Sequence, residues 1–363
     1  MLDKTIEATK PLKLGFGLAF SDLYDAAALI RVDAAFLAHV KAVDADLHER
    51  VSSARLDPAH VALKAESELL IALSPHVDSF IATLFGIESE LLALSGQHNA
   101  LAPLYLVKRL FVQRKAVNKV KALDVERIDG AGLATQLEGW MGEPLTEIAF
   151  ARHVTAWQED EAQHAERIDV ALQYAGWAVQ SVAGQKQHRA GVLFKVPHKL
   201  DPQHLVPATI DQTKGYTEYR FDVSQLRRRE GFKLTDQGTD LTGALDQAHY
   251  CIWCHEQGKD SCSKGLTEKG ASGRGQASFK KSSFGVTLAG CPLEEKISEF
   301  HKAKTAGYVV GALAIITVDN PMAAATGHRI CNDCMKACIY QKQEPVDIPQ
   351  AETRTLKDVL ELP

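Results

Sequence analysis

The sequence predicts a mainly α protein: a helical bundle over residues 1–183, a short irregular or β linker over 184–238, and a second helical domain over 239–363. Three observations carry this expectation. Apolar residues recur at three- and four-residue intervals from Ser21 to about Trp177, the period of amphipathic helices. That periodicity lapses between Gly184 and Gly238, where Pro197, Pro202 and Pro207 punctuate short alternating runs. All seven cysteines fall after residue 250. A chain of 363 residues is also long for one hydrophobic core, so two domains are expected.

Taken in order, Leu29, Val32, Phe36, Val40, Val43 and Leu47 trace the first helical face. Ser74-Pro75, Gly96, Gly130-Ala131-Gly132 and the Gly142 to Pro144 stretch supply breaks between five or six successive helices. In the linker, Val192 to Val196 and Tyr216 to Phe221 alternate like strands and suggest one small hairpin. Ser263 to Gly290 is rich in Gly, Ser and Lys without apolar periodicity and reads as a flexible insertion. Helical texture returns over Pro292 to Ala306, with Leu293, Ile297 and Phe300 on one face.

Composition is ordinary for a soluble protein, and a net charge of -5 argues against nucleic acid or an anionic membrane surface as the main partner. The first twenty residues contain no continuous apolar run ahead of a small-residue cleavage site, so a cytoplasmic chain is expected. No membrane span is expected either, because the longest apolar run, Tyr308 to Val318, is about half of the roughly 20 residues a spanning helix needs. In a reducing compartment the thiols are then available for metal, catalysis or redox sensing rather than for disulfides.

The cysteines form two bundles, Cys251/Cys254/Cys262 and Cys331/Cys334/Cys338, with Cys291-Pro292 between them. Cys251-Ile252-Trp253-Cys254-His255 fits the attachment pattern of c-type haem, but that chemistry needs export and leaves five cysteines without a role. The two C-x-x-C pairs could close one tetrahedral zinc site, leaving Cys262, Cys291 and Cys338 over. Iron–sulfur chemistry can use all seven: thiolates suit cluster iron, a [4Fe–4S] cube takes four, and a Cys-Pro following a run of three cysteines is a ligand pattern of two-cluster ferredoxins. Two cubes need eight donors, so one non-thiol donor is expected.

The pattern Cys251-x2-Cys254-x7-Cys262, Gly290-Cys291-Pro292-Leu293, Asp319-Asn320-Pro321 and Cys331-x2-Cys334-x3-Cys338 resembles the helical iron–sulfur domain of dihydropyrimidine dehydrogenase and of the glutamate synthase small subunit. The resemblance covers about residues 240–355, with a wider second cysteine spacing and the inserted Ser263 to Gly290 as departures; the N-terminal half carries none. It implies that Cys251, Cys254, Cys262 and Cys338 hold one [4Fe–4S] cluster. Cys291, Cys331 and Cys334 would hold the second, with Glu352 as the eighth ligand and Gln350 as its substitute if the register slips. It further implies an oxidoreductase component that relays electrons to or from an FAD- and NAD(P)H-binding flavoprotein domain or subunit. No G-x-G-x-x-G after a strand occurs; Gly270, Gly273 and Gly275 lie in the insertion. The alternative reading is a zinc-stabilised, non-redox interaction protein.

Three further features have bland readings. Glu161 and His164 form an E-x-x-H on an expected helix, but di-iron bundles need two copies and two more carboxylates, so a buried Glu/His pair is expected. The basic run Lys108, Arg109, Arg114, Lys115, Lys119 and Lys121, like Arg227-Arg228-Arg229, reads as a solvated face before it reads as a docking surface. Cys254 beside His255 could be a nucleophile pair, were the thiol not committed to metal.

Overall fold

Two aspartates set the start of the chain's helical half. In this computed structural model, which describes residues 13–120, 125–206, 208–221, 230–268, 278–328 and 330–363, Asp25 caps α1 (Ala26–Val43) by accepting the Ala28 N–H at 2.7 Å. Asp44 ends α1 and caps α2 (Ala45–Leu56) by accepting the Leu47 N–H at 2.9 Å. The first periodic run is therefore two helices. Val40, Leu47 and Val51 pack against Leu69 and Leu73 of α3 (Leu63–Phe85), while Leu29 and Val43 stay exposed.

Two expected breaks are absent. α3 runs through Ser74-Pro75, and α4 (Glu88–Val107) runs through Gly96. Proline removes one backbone donor within α3. Ser74 Oγ donates to the Leu70 carbonyl at 3.1 Å one turn back, and burial on neighbouring helices holds the segment straight through. By length and composition α3 could cross a membrane. Here it buries Ser67, Ser74 and Asp78 within the protein.

α4 continues into a π-helical segment, Lys108–Ala116, and then α5 (Val117–Lys119). α6 (Gly130–Met141), α7 (Glu147–Glu159), α8 (Ala165–Gln180) and α9 (Val182–Gln187) complete this core around Phe111, Leu137, Phe150 and Tyr174. Leu193 and Phe194 from the linker fill it. Val192 to Val196 forms no strand, because the Glu147 carboxylate accepts the N–H groups of Val192 at 2.8 Å and Leu193 at 3.1 Å and draws the run inward. The hairpin instead pairs β1 (Thr209–Asp211) antiparallel with β2 (Glu218–Arg220), Thr209 opposite Arg220. Glu161 and His164 lie in the turn between α7 and α8 rather than on a helix. Glu161 is exposed and faces Lys115 at 3.5 Å, so no buried Glu/His pair exists there.

The cysteine-bearing half comprises α10 (Leu241–Tyr250), α11 (Ser261–Lys264), α12 (Ile297–Thr305), α13 (Val309–Asp319), α14 (Ala323–Thr326), α15 (Asp333–Ala337) and α16 (Ile348–Leu360). It is built onto the N-terminal helices. Asp78 of α3 accepts the N–H groups of Val309 at 3.0 Å and Gly311 at 2.6 Å at the start of α13. Gly311 lets the two helices meet, since a Cβ there would lie 2.6 Å from Ser74 Cβ. Deeper in, Asp358 of α16 pairs with Lys304 at 2.7 Å and Arg354 at 2.6 Å, beside His98 of α4 at 3.8 Å. Tyr105 OH donates to the Thr242 carbonyl at 2.8 Å, and Lys108 pairs with Asp246 at 2.6 Å. The basic run is thus partly spent inside the protein: Lys108 ties α10 to the bundle, and Lys119 pairs with Asp169. Lys121 and Arg227-Arg228-Arg229 lie outside the described residues.

Backbone bonds close the base of the insertion: Leu266 N–H to the Leu288 carbonyl at 2.9 Å, and Lys280 N–H to the Leu266 carbonyl at 2.7 Å. Residues 269–277, with Gly270, Gly273 and Gly275, lie outside the described residues. Gly290 makes the closure possible. Its φ is +84°, and a Cβ would fall 2.5 Å from Gly265 N.

Candidate metal centre

Four cysteines from three separated stretches of chain line one cavity. Cys251 follows α10, Cys254 follows it by one turn, Cys262 sits on α11, and Cys338 ends α15. All four are buried. The Cys251–Cys254 turn places Trp253 at φ 51°, a left-handed conformation rare for a bulky residue, and directs the Trp253 N–H at Cys251 Sγ, 3.4 Å away. Apolar side chains of Ile252, Ile297, Val346 and Ile348 form part of the remaining wall.

Burial dominates the electrostatics. It pushes the Cys254 thiol up to about 11, and pushes Cys251, Cys262 and Cys338 upward as well. Neighbouring thiols add to the shift for Cys251, Cys254 and Cys262. Such thiols ionise when a cation binds them and compensates the charge, so loading would release protons.

Cys291, Cys331 and Cys334 make a second group, within electrostatic reach of one another. Cys331 is exposed, whereas Cys291 and Cys334 are half-buried. Burial raises Cys291 and Cys334, and the carboxylate of Glu295 raises both further. Glu295 and Glu352 are both buried and adjacent to one another. Asn320 Nδ2 donates to Glu352 Oε1 at 3.2 Å, and Asn320 also bonds to Glu295. Burial, then the charge of Glu295, pushes Glu352 up to about 8. Glu295, within electrostatic reach of Cys291 and Cys334, and Glu352 beside it supply desolvated carboxylates that a cationic centre would stabilise. Gln350 points elsewhere, donating to both Asp236 carboxylate oxygens at 3.2 Å.

The two C-x-x-C pairs therefore belong to different groups, Cys251/Cys254 to the first and Cys331/Cys334 to the second, and do not converge on one tetrahedral site. Among the described residues no three His, Cys, Asp or Glu side chains close around a single ion. His255 Nδ1 is engaged by Ser298 Oγ at 2.6 Å. That Ser298 hydroxyl also bonds to Glu299, which in turn accepts from Ser67 Oγ at 2.6 Å. Around the first cavity, buried polar atoms lack hydrogen-bond partners among the described residues, including Ser261 Oγ and both ring nitrogens of His301. Buried polar groups are normally satisfied. Unmet donors lining the same cavity as four thiols fit a sulfur-rich cofactor, whose sulfurs accept hydrogen bonds.

Reading the sequence by cysteine spacing passed over Glu295 and His301. Glu295 stands four residues after Cys291, and His301 one turn after Ile297 on α12, so neither has a motif of its own. Only proximity to the thiols marks them.

Parts of the chain match known families and proteins. Residues 283–360 match the family described as dihydropyrimidine dehydrogenase domain II, 4Fe-4S cluster, a stretch that includes Cys291, Cys331, Cys334, Cys338 and Glu352 but begins after Cys262. Residues 14–86 match the RP005 N-terminal alpha-helical domain, a different family from the one matched at residues 283–360. The Rickettsia prowazekii (strain Madrid E) protein described as uncharacterized protein RP005 is 32% identical over 302 residues, covering 81% of this chain and 98% of that protein. A second protein of that organism, uncharacterized protein RP006, is 69% identical over 42 residues, 12% of this chain and 6% of that protein. No solved structure matches. The C-terminal part is thus an iron–sulfur domain of the 4Fe–4S type.

Proposed function

The chain belongs to the RP005 family, and from that premise we propose that it is the iron–sulfur electron-transfer portion of a flavin- and NAD(P)H-dependent oxidoreductase, holding two [4Fe–4S] clusters. The observation that carries this reading is the gathering of Cys251, Cys254, Cys262 and Cys338 around one buried cavity. Those four would hold the first cluster. Cys291, Cys331 and Cys334 would hold the second, with Glu352 as the oxygen donor and Glu295 beside it. Bound clusters would supply one-electron carriers whose potentials follow charge, hydrogen bonding and solvent exposure.

The chain's own residues would divide the two positions. The first set is walled by isoleucine and valine, which exclude water and lower the local dielectric. The second reaches the surface at exposed Cys331, with Leu293 and Ile330 exposed next to its ligands. We assign this edge to exchange with a flavoprotein domain or subunit in the cytoplasm. A 42-residue stretch of this chain is shared with RP006 and makes up only 6% of that protein, so a segment of this kind also occurs within a much longer chain.

Anaerobic purification of the full chain tests the reading. The expected result is about eight iron and eight acid-labile sulfide per chain, with two interacting paramagnets after dithionite reduction. A colourless protein with stoichiometric zinc and no sulfide would overturn it in favour of a zinc-stabilised interaction protein.

A further inference from the structure

We propose that His301 is the hydrogen-bond donor that sets the reduction potential of the first cluster, an inference that rests on the cluster reading above. His301 lies on α12, is fully buried, and lines the cavity shared by Cys251, Cys254, Cys262 and Cys338. Neither ring nitrogen has a partner among the described residues. An imidazole always carries at least one N–H, so a donor is held inside an apolar wall with nothing to receive it.

Its neighbour on the same cavity behaves differently. Ser298, one turn earlier on α12, is saturated by the His255 backbone and ring nitrogens and by Glu299. Phe300 packs on the His301 ring at 4.3 Å between centroids and 60° between planes, which holds the ring's orientation. The ring therefore keeps spare hydrogen-bonding capacity in the cavity that the four thiols line. A sulfur of the cluster, or a ligating thiolate, is the acceptor the site offers.

The consequence follows from charge. Reduction adds one negative charge to the cluster, and an N–H donor to sulfur stabilises that added charge more than it stabilises the oxidised form. Removing the donor must lower the potential. Because His301 does not line the second group, the effect belongs to one cluster alone.

The test is an anaerobic redox titration of the full chain, followed by electron paramagnetic resonance, with the first cluster identified by its absence in Cys338→Ala. In His301→Phe, the reduced-to-oxidised ratio of the first cluster, measured at its original midpoint, should fall about tenfold, which is about 59 mV for a one-electron couple. The second cluster should not move. His301→Asn and His301→Gln each keep an N–H, and at least one should restore most of the shift. An exchangeable-proton coupling to the first cluster should disappear in the Phe variant and persist in the restoring one. An unchanged first-cluster potential, an equal shift of both clusters, or loss of the first cluster in all three variants would overturn the proposal. A chain that binds no iron at all would instead overturn the cluster reading beneath it.

Discussion

The Cys291 backbone N–H donates to the Cys262 carbonyl oxygen at 2.8 Å. One peptide hydrogen bond thus ties the first thiol group to the second across the 28 residues between the two cysteines, 263–290. The inserted stretch leaves and returns at nearly the same point, so its length does not separate the two sets. Closing a longer loop costs little, about 0.6 kcal/mol per doubling.

Single cysteine replacements should divide the iron. Cys251→Ala or Cys338→Ala is expected to lose about half of it, one cube of two, and to leave the signal of the second cluster. Cys334→Ala should lose the complementary half. Iron and sulfide analysis with spectroscopy checks this, and total loss from every variant would mean that the two groups do not load independently.

In the proposed second cluster, Glu352 or its neighbour Glu295 would supply the oxygen ligand. Glu352→Ala should abolish the second cluster, whereas Glu295→Ala should retain it and raise its potential by removing a nearby negative charge. The reverse order would assign the ligand to Glu295, which stands closer to the thiols in electrostatic terms.

Asp78 gives the α3–α13 seam a pH dependence. Burial pushes its carboxyl from 3.8 up to about 6, against the lowering effect of the backbone N–H groups it accepts. Between about pH 4 and 6 the unfolded chain releases a proton that the folded chain retains, so stability falls as pH rises through that window and stays lower above it. The whole effect is about 3 kcal/mol at most. Denaturation midpoints of Asp78→Asn should lose this slope; an unaltered slope would assign it to other groups.

The Lys304–Asp358–Arg354 group should be costly to break. Lys304 and Asp358 are fully buried, and removing one partner of a buried pair destabilises by about 3–5 kcal/mol. Arg354 would still face Asp358, so Lys304→Met should fall near the lower end. Urea unfolding measures it, and a loss below about 1 kcal/mol would show that the pair is dispensable.

Gly311→Ala should separate α3 from α13, because the new Cβ would lie 2.6 Å from both Ser74 Cβ and the Ser74 carbonyl oxygen. Overpacking of this kind costs about 1–3 kcal/mol. Thermal unfolding is the measurement, and an unshifted midpoint would show that the seam can open freely.

Much of this architecture was legible in residue order. Helical periodicity depends on local spacing, and it gave the mainly α class and most of the helix expected over 292–306, which begins only at Ile297 and leaves Leu293 exposed. Breaker residues were read well where an end is exposed, as at Gly142 with φ +71°. They were misread at Pro75 and Gly96, where packing outweighs a local penalty. Val192 to Val196 was misread for a related reason: alternation says which residues are apolar, not that Glu147, 45 positions earlier, will bind their backbone.

Residue order by itself determined the donor chemistry, because seven thiols in a few short clusters leave few soft-metal alternatives, and it determined the helical class, because both are properties of neighbours along the chain. Tertiary structure alone decided that Glu295 stands beside Glu352 and that His301 is buried at the thiol cavity with no partner among the described residues. Those are distances between residues far apart in sequence, or directions of single side chains, and they come into being only when the helices pack.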